Sequence, residues 1–258
     1  MKVIWKSAAT ALACYTVTKT NYKNNFSLNK QKTFAFNSNY DNVQPNLNGT
    51  KVNYFNFVCC GSCEKQEDSD DYLLNKDGEI QMKLVGNFIV EQGLHKKINE
   101  IGVAPRNVDT KCGKIIAKQI YHVTGKSILV NKKPELVDGT PAQASPRGDT
   151  CPLTDRSLYI NSAKFDYMFS NNIKKPLPNT DCDGHYWIVT SQNIIKYLIC
   201  RALQIPPSAY NRFNISCGSV TSIACYENGT VKLLYANDRS MMHADNQSKV
   251  DCADFEED

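Results

Sequence analysis

Apolar and polar positions follow two rhythms along this chain, and the switch between them is sharpest near residue 190. Tyr186-Trp187-Ile188-Val189-Thr190 is a short apolar, β-branched run that predicts a buried strand. After it, the pairs Ile194/Ile195, Leu198/Ile199 and Ala202/Leu203 recur at helical spacing, with Lys196, Arg201 and Gln204 assigned to the other side. Thr190 and Ser191 supply oxygens suited to capping that helix, and Pro206-Pro207 ends it. A strand feeding directly into a helix N-terminus predicts an anion pocket, because unpaired N–H groups and the helix dipole converge there.

The same reading predicts a strand over 52–58, a helix from the loop at 74–81 through Leu84, Phe88, Ile89 and Leu94, and a strand over 98–103. A helix over 110–121 follows, with Ile115, Ile116 and Ile120 as its apolar stripe. Residues 144–183, rich in Pro, Asn and Asp, are expected to be irregular and to cap a site. Residues 215–226 and 230–235 form a hairpin around Glu227-Asn228-Gly229, since Asn-Gly suits a tight turn with positive φ. Alternating strands and helices in 258 residues predict one α/β core with tails.

The stretch 193–207, from Asn193-Ile194-Ile195-Lys196-Tyr197 to Pro206-Pro207, together with Gly218-Ser219-Val220-Thr221, resembles the phosphoglycerate mutase family of the histidine phosphatase superfamily. The likeness is to its mitochondrial Ser/Thr protein phosphatases. It implies a three-layer fold with a mostly parallel central sheet and helices on both faces, over roughly 52–245. It also implies a phosphorylated His preceded by Arg at the end of the first strand, where Cys59 and Cys60 stand. A second His falls at Ser191, a second Arg at Val108 by ungapped matching, and an acidic residue at Gln143. Arg106 lies two positions from Val108 and would restore a cation after a local shift.

That chemistry needs an imidazole nucleophile and guanidinium groups for the phosphoryl charge. No intact catalytic residue is therefore expected, and the degenerate positions are Cys59, Cys60, Val108, Ser191 and Gln143. The chain reads as a pseudophosphatase, with activity leaning to none. The alternatives are an active Ser/Thr phosphatase with a rearranged site, and a thiol-based redox or metal-binding regulator through Cys60-Gly61-Ser62-Cys63. A Cys-dependent phosphatase also needs an Arg at the thiol, and none is near in sequence. No cofactor and no metal are expected, since no second Cys or His pair accompanies the C-x-x-C.

Charge refines the ends. The net charge of +4 is too mild to imply nucleic acid. No acidic residue precedes Asp41, while Lys2, Lys6, Lys19, Lys23, Lys30 and Lys32 do. Residues 1–35 thus read as a targeting or anchor segment with its linker, and the resemblance favours a mitochondrial address. A secretory or cytoplasmic location is the alternative. The apolar part is short for a membrane span, which takes ~20 residues. Within 36–51, Phe36, Asn39, Tyr40 and Asp41 resemble the family's oligomerisation motif, implying a homo-oligomer, or a hetero-oligomer with an active relative, and other protein partners. Residues 246–258 form an acidic tail. The eleven cysteines show no regular spacing and read as mostly reduced and buried.

Overall fold

The computed structural model describes residues 51–66, 71–145, 153–177 and 183–242, all within one compact unit, Gln44–Asp258. The N-terminal segment, the motif at Phe36, Asn39, Tyr40 and Asp41, and the acidic tail lie outside the described residues. Among the described residues, no helix is long and apolar enough to cross a membrane.

Strand β1 (Val52–Cys59) leads through a small hairpin, β2 (Cys63–Lys65) and β3 (Tyr72–Leu74), into helix α1 (Lys76–Glu91). Then come β4 (Glu100–Val103), α2 (Asn107–Thr124), β5 (Leu129–Lys132), α3 (Asp155–Asn172), β6 (Gly184–Thr190) and α4 (Gln192–Ala202). The hairpin β7 (Val220–Tyr226) and β8 (Val231–Asp238) completes the order. The main sheet runs β5-β4-β6-β1-β7-β8, and β2-β3 is a separate two-stranded sheet. β5, β4, β6 and β1 are parallel, while β7 is antiparallel to β1 and to β8. This is an α/β fold with a mostly parallel central sheet flanked by helices.

The central strands are apolar on both faces because helices cover both. One face presents Val58, Ile101, Val103, Trp187 and Val189 to Met82, Val85 and Ile89 of α1 and to Val108, Cys112, Ile116 and Ile120 of α2. The alternate positions Phe55, Phe57 and Ile188 are buried as well and, by the two-residue period of a strand, face the other way. There α4 meets β1 and β7, and α3 packs on α4 with the Phe165 and Tyr197 rings 5.0 Å apart.

Three expectations change. Residues 155–172 form a full helix inside the stretch read as irregular; Thr154 caps it by accepting from Ser157 N–H. Only Phe165, Met168 and Phe169 of that helix are buried, while Tyr159, Ile160 and Tyr167 are exposed, so its apolar pattern is blurred. Helix α4 is buried almost all round, and Lys196, assigned to a polar face, is only 6% exposed. Its N-cap is Ser191, whose side chain makes no capping bond.

Candidate functional site

The C-terminal ends of β1 and β6 lie side by side, with Cys59 registered on Thr190. Short backbone bonds hold the corner. Cys60 N–H donates to the Thr190 carbonyl at 3.0 Å, and Cys59 N–H to that of Ser219 at 3.0 Å. In an open α/β sheet, side chains at such strand ends converge on the crevice where ligands bind.

Cys60 sits there among three further thiols. Those of Cys59 and Cys63 are hydrogen-bonded to it, and the Cys112 sulfur, from the second turn of α2, accepts from Gly61 N–H at 3.5 Å. Cys59, Cys60 and Cys112 are buried and Cys63 is half-buried, all four as free thiols. Cys217 is disulfide-bonded, an exception to the mostly reduced reading. Among the described residues no cluster of His, Cys, Asp and Glu is arranged to hold a metal ion.

The cation of the site is Arg106, the N-cap residue of α2. Its Nη2 lies 3.7 Å from the Cys60 sulfur. Val108 is elsewhere, buried in the core at 2% exposure. An N-cap residue has an extended backbone (here φ −61°, ψ 150°) and so turns its side chain away from the helical stripe that Val108 joins. The acidic residue of the site is Asp138, not Gln143, whose Oε1 accepts from Leu153 N–H at 3.1 Å in the following loop.

Two carboxylates also engage Arg106. Its Nε donates to Asp109 Oδ2 at 2.7 Å, Nη2 to Asp109 Oδ1 at 3.1 Å, and Nη1 to Asp138 Oδ2 at 2.7 Å. The other Asp138 oxygen accepts from Ser191 Oγ at 2.7 Å and from Gly139 N–H at 3.0 Å. Lys164 of α3 steadies that loop by donating to the Asp138 carbonyl at 2.7 Å. The hydroxyl at the N-cap of α4 is thus committed to the protein's own carboxylate. The anion pocket foreseen at this helix start already faces an internal anion.

One guanidinium faces three acids, so the cluster keeps a proton. Burial, the Cys60 charge and Asp138 push the Asp109 carboxyl up to about 7, against the pull of Arg106. Hydrogen bonds from Cys59 and Cys63, then the Arg106 charge, hold the Cys60 thiol well below its ordinary range despite burial. The hydrogen bond to Cys60, then burial, raises the Cys59 and Cys63 thiols; burial, then the Cys60 charge, raises that of Cys112. Burial opposes the charge on Arg106, but Cys60, Asp109 and Asp138 outweigh it and raise its pKa.

No His reaches the site among the described residues. His122 ends α2, sixteen positions from Arg106, or ~24 Å along a helix. His185 lies at the start of β6, five positions from Thr190 or ~16 Å. His95 follows α1, at the end away from the cap that faces Ser62. Asp109, Asp138 and Cys112 were not singled out from the sequence; the only local hint was an Asp three residues after an Arg at a helix start.

Three comparisons with known proteins bear on this arrangement. The pattern of the histidine phosphatase superfamily (branch 1) matches residues 172–238, which include β6, α4 and the closing hairpin. A phosphoglycerate mutase from Plasmodium falciparum superposes with a TM-score of 0.52 at 20% identity, covering 75% of this chain and 94% of that one. A phosphoserine phosphatase from Entamoeba histolytica does so at 0.52 and 15%, covering 73% and 98%. At such identities the likeness shows the fold. The matched segment and the fold together support a histidine phosphatase-like domain in this chain.

Its relatives in sequence narrow this to a PGAM5-like member. It is 27% identical over 181 residues to the mitochondrial serine/threonine-protein phosphatase PGAM5 of Xenopus laevis, spanning 70% of this chain and 62% of that protein. Against the mouse protein it is 28% identical over 185 residues, spanning 72% and 60%. The matched region is thus about three fifths of those relatives' length.

Proposed function

We propose that this chain is a catalytically silent, PGAM5-like phosphatase scaffold that acts through assembly and partner binding in the mitochondrion. The observation that carries the reading is the closure of Arg106 by Asp109 and Asp138. A phosphoryl dianion needs unpaired cations and a nucleophile matched to them. Here the nearest guanidinium is already engaged by Asp109, Asp138 and the Cys60 sulfur, a thiol stands where the nucleophilic imidazole is implied, and a serine replaces the second imidazole. Losing one preorganised charge-stabilising group costs about two to three orders of magnitude in rate. The mitochondrial address rests on the relatives' names and on the basic, acid-free first forty residues.

A second reading, an active phosphatase using Cys60, is favoured by one observation: the Arg that no neighbouring residue supplies in sequence comes within 3.7 Å from α2. Hydrolysis assays separate the two. The purified chain is expected to release no phosphate from phosphoserine or phosphothreonine peptides above a heat-denatured control. Turnover that disappears in Cys60→Ser would overturn the silent reading.

Assembly is expected to run through Phe36, Asn39, Tyr40 and Asp41. Truncating two aromatic anchors at a true interface costs on the order of 2 kcal/mol each. Phe36→Ala with Tyr40→Ala should lower the particle mass in light scattering, and an unchanged mass would make the segment a plain linker.

A further inference from the structure

The four-thiol corner is more than the residue of a lost site. Three of its features belong together. Cys60 and Cys63 are three residues apart and hydrogen-bonded, the spacing at which a disulfide closes the smallest common redox loop. A guanidinium stands 3.7 Å from the Cys60 sulfur, where it favours the thiolate, the nucleophilic form of the group. Finally, the pair is unequal in access: Cys60 is 2% exposed, whereas Cys63 is half-buried and opens a strand whose next residues, Glu64 and Lys65, are exposed.

We propose that Cys60 and Cys63 form a peroxide-oxidised dithiol, in which Cys60 is the attacking thiolate and Cys63 the resolving thiol. Hydrogen peroxide, little larger than water, is the oxidant that suits so closed a corner. The Cys60 thiolate attacks one peroxide oxygen, an S–O bond forms, the O–O bond breaks, and hydroxide leaves and takes a proton to become water. Cys60 sulfur has then lost two electrons and is a sulfenic acid. The Cys63 sulfur attacks it, an S–S bond forms, and the sulfenic hydroxyl departs with the Cys63 proton as a second water. Two thiols and one peroxide thus become one disulfide and two waters. An external dithiol reverses the step by exchange.

The neighbouring thiols are poorer partners for physical reasons. A disulfide between Cys59 and Cys60 would force the peptide joining them out of its trans plane. Cys112 is fully buried and its sulfur accepts the Gly61 N–H. The lowered Cys60 thiol agrees with the assigned roles. None of this depends on whether the chain hydrolyses phosphate.

The test uses the full purified chain, reduced and then exposed to one equivalent of hydrogen peroxide. Remaining thiols are alkylated and peptides mapped by mass. The expected product is a peptide two hydrogens lighter and unalkylated at both Cys60 and Cys63. In Cys63→Ser, Cys60 should accumulate as sulfenic acid and take up dimedone. Arg106→Gln should slow oxidation roughly tenfold at neutral pH, since less of the thiol is ionised. Where that variant fails to fold, the native chain supplies the readout. Its oxidation rate should change less than about threefold between pH 8 and pH 6, whereas an ordinary thiol loses nearly tenfold per unit below its pKa. A rate that falls like a free thiol's, dimedone spread evenly over the cysteines, or no Cys60–Cys63 linkage would each overturn the proposal.

Discussion

Two strand ends meet at this corner, and they are built differently. β6 runs straight into α4 through Thr190, Ser191 and Gln192, with all three side chains buried. β1 instead leaves its sheet through Cys60-Gly61-Ser62 and detours into the β2–β3 hairpin before reaching α1. At the β6 junction the buried side chains pack closely, the Thr190 carbonyl accepts from Cys60 N–H, and the Ser191 hydroxyl donates to Asp138. The β1 junction is held by backbone and by close approach. Asn75 N–H donates to the Ser62 carbonyl at 3.1 Å, Ser62 N–H to Gln81 at 2.9 Å, and Asn75 caps α1 by accepting from Gly78 N–H at 2.9 Å. Each strand end therefore has its own means of support.

The largest break in that comparison comes from Gly61. A Cβ there would stand 2.6 Å from the Gly78 carbonyl oxygen and 2.8 Å from its Cα, both backbone atoms that cannot step aside. Gly61→Ala is expected to cost about 3 kcal/mol, the upper end of overpacking penalties, read as a lower urea midpoint. A loss below the detection limit would mean that the junction is loose rather than tightly packed.

Next in size is a pH effect centred on α2. The Asp109 carboxyl is raised in the folded chain from 3.8 to about 7, so the folded state holds a proton that the unfolded state releases. Its stabilising contribution is whole below pH 3.8 and is lost as pH rises through 7. Cys60, held low, contributes in the opposite sense, its stabilisation growing as pH rises toward that of an unfolded thiol. The difference between the native chain and Asp109→Asn isolates the carboxylate. Between pH 4 and 8 the native chain should lose on the order of 2 kcal/mol more than the variant. Parallel stability curves would show that Asp109 is ionised throughout.

The smallest effect sharpens the β6 side. Ser191→Ala removes one hydroxyl from a part-exposed carboxylate that keeps Arg106 and Gly139 as partners. About 1 kcal/mol is expected from urea denaturation. A cost approaching that of Gly61→Ala would show the two junctions to be supported alike.

How much of this could be read in the sequence follows the same division. Strand β6, helix α4 and the closing hairpin announce themselves because their signals are local: a β-branched run, paired apolar positions, an Asn-Gly turn whose Gly229 has φ 81°. Helix α3 did not, since exposed Tyr159, Ile160 and Tyr167 dilute the stripe of Phe165, Met168 and Phe169. At the site, sequence alignment singled out Cys59, Cys60 and Ser191, which the structure places at the strand ends. It could not choose between Val108 and Arg106, which differ only in which way one turn of α2 faces. Nor could it anticipate Asp138 or Cys112, whose neighbours Ser191 and Gly61 are 53 and 51 residues away along the chain.

The position of β1 in the sheet has a consequence for synthesis. Its two neighbours are β6 and β7, so the earliest main-sheet strand among the described residues is completed by some of the last. Val52 N–H waits for Asp183, 131 residues downstream. At roughly 5–20 residues per second on the ribosome, that leaves β1 unpaired on both edges for roughly 7–26 seconds. Through that interval Phe55, Phe57 and Val58 have no sheet to enter, and nascent chains stalled before residue 184 are expected to depend on chaperones.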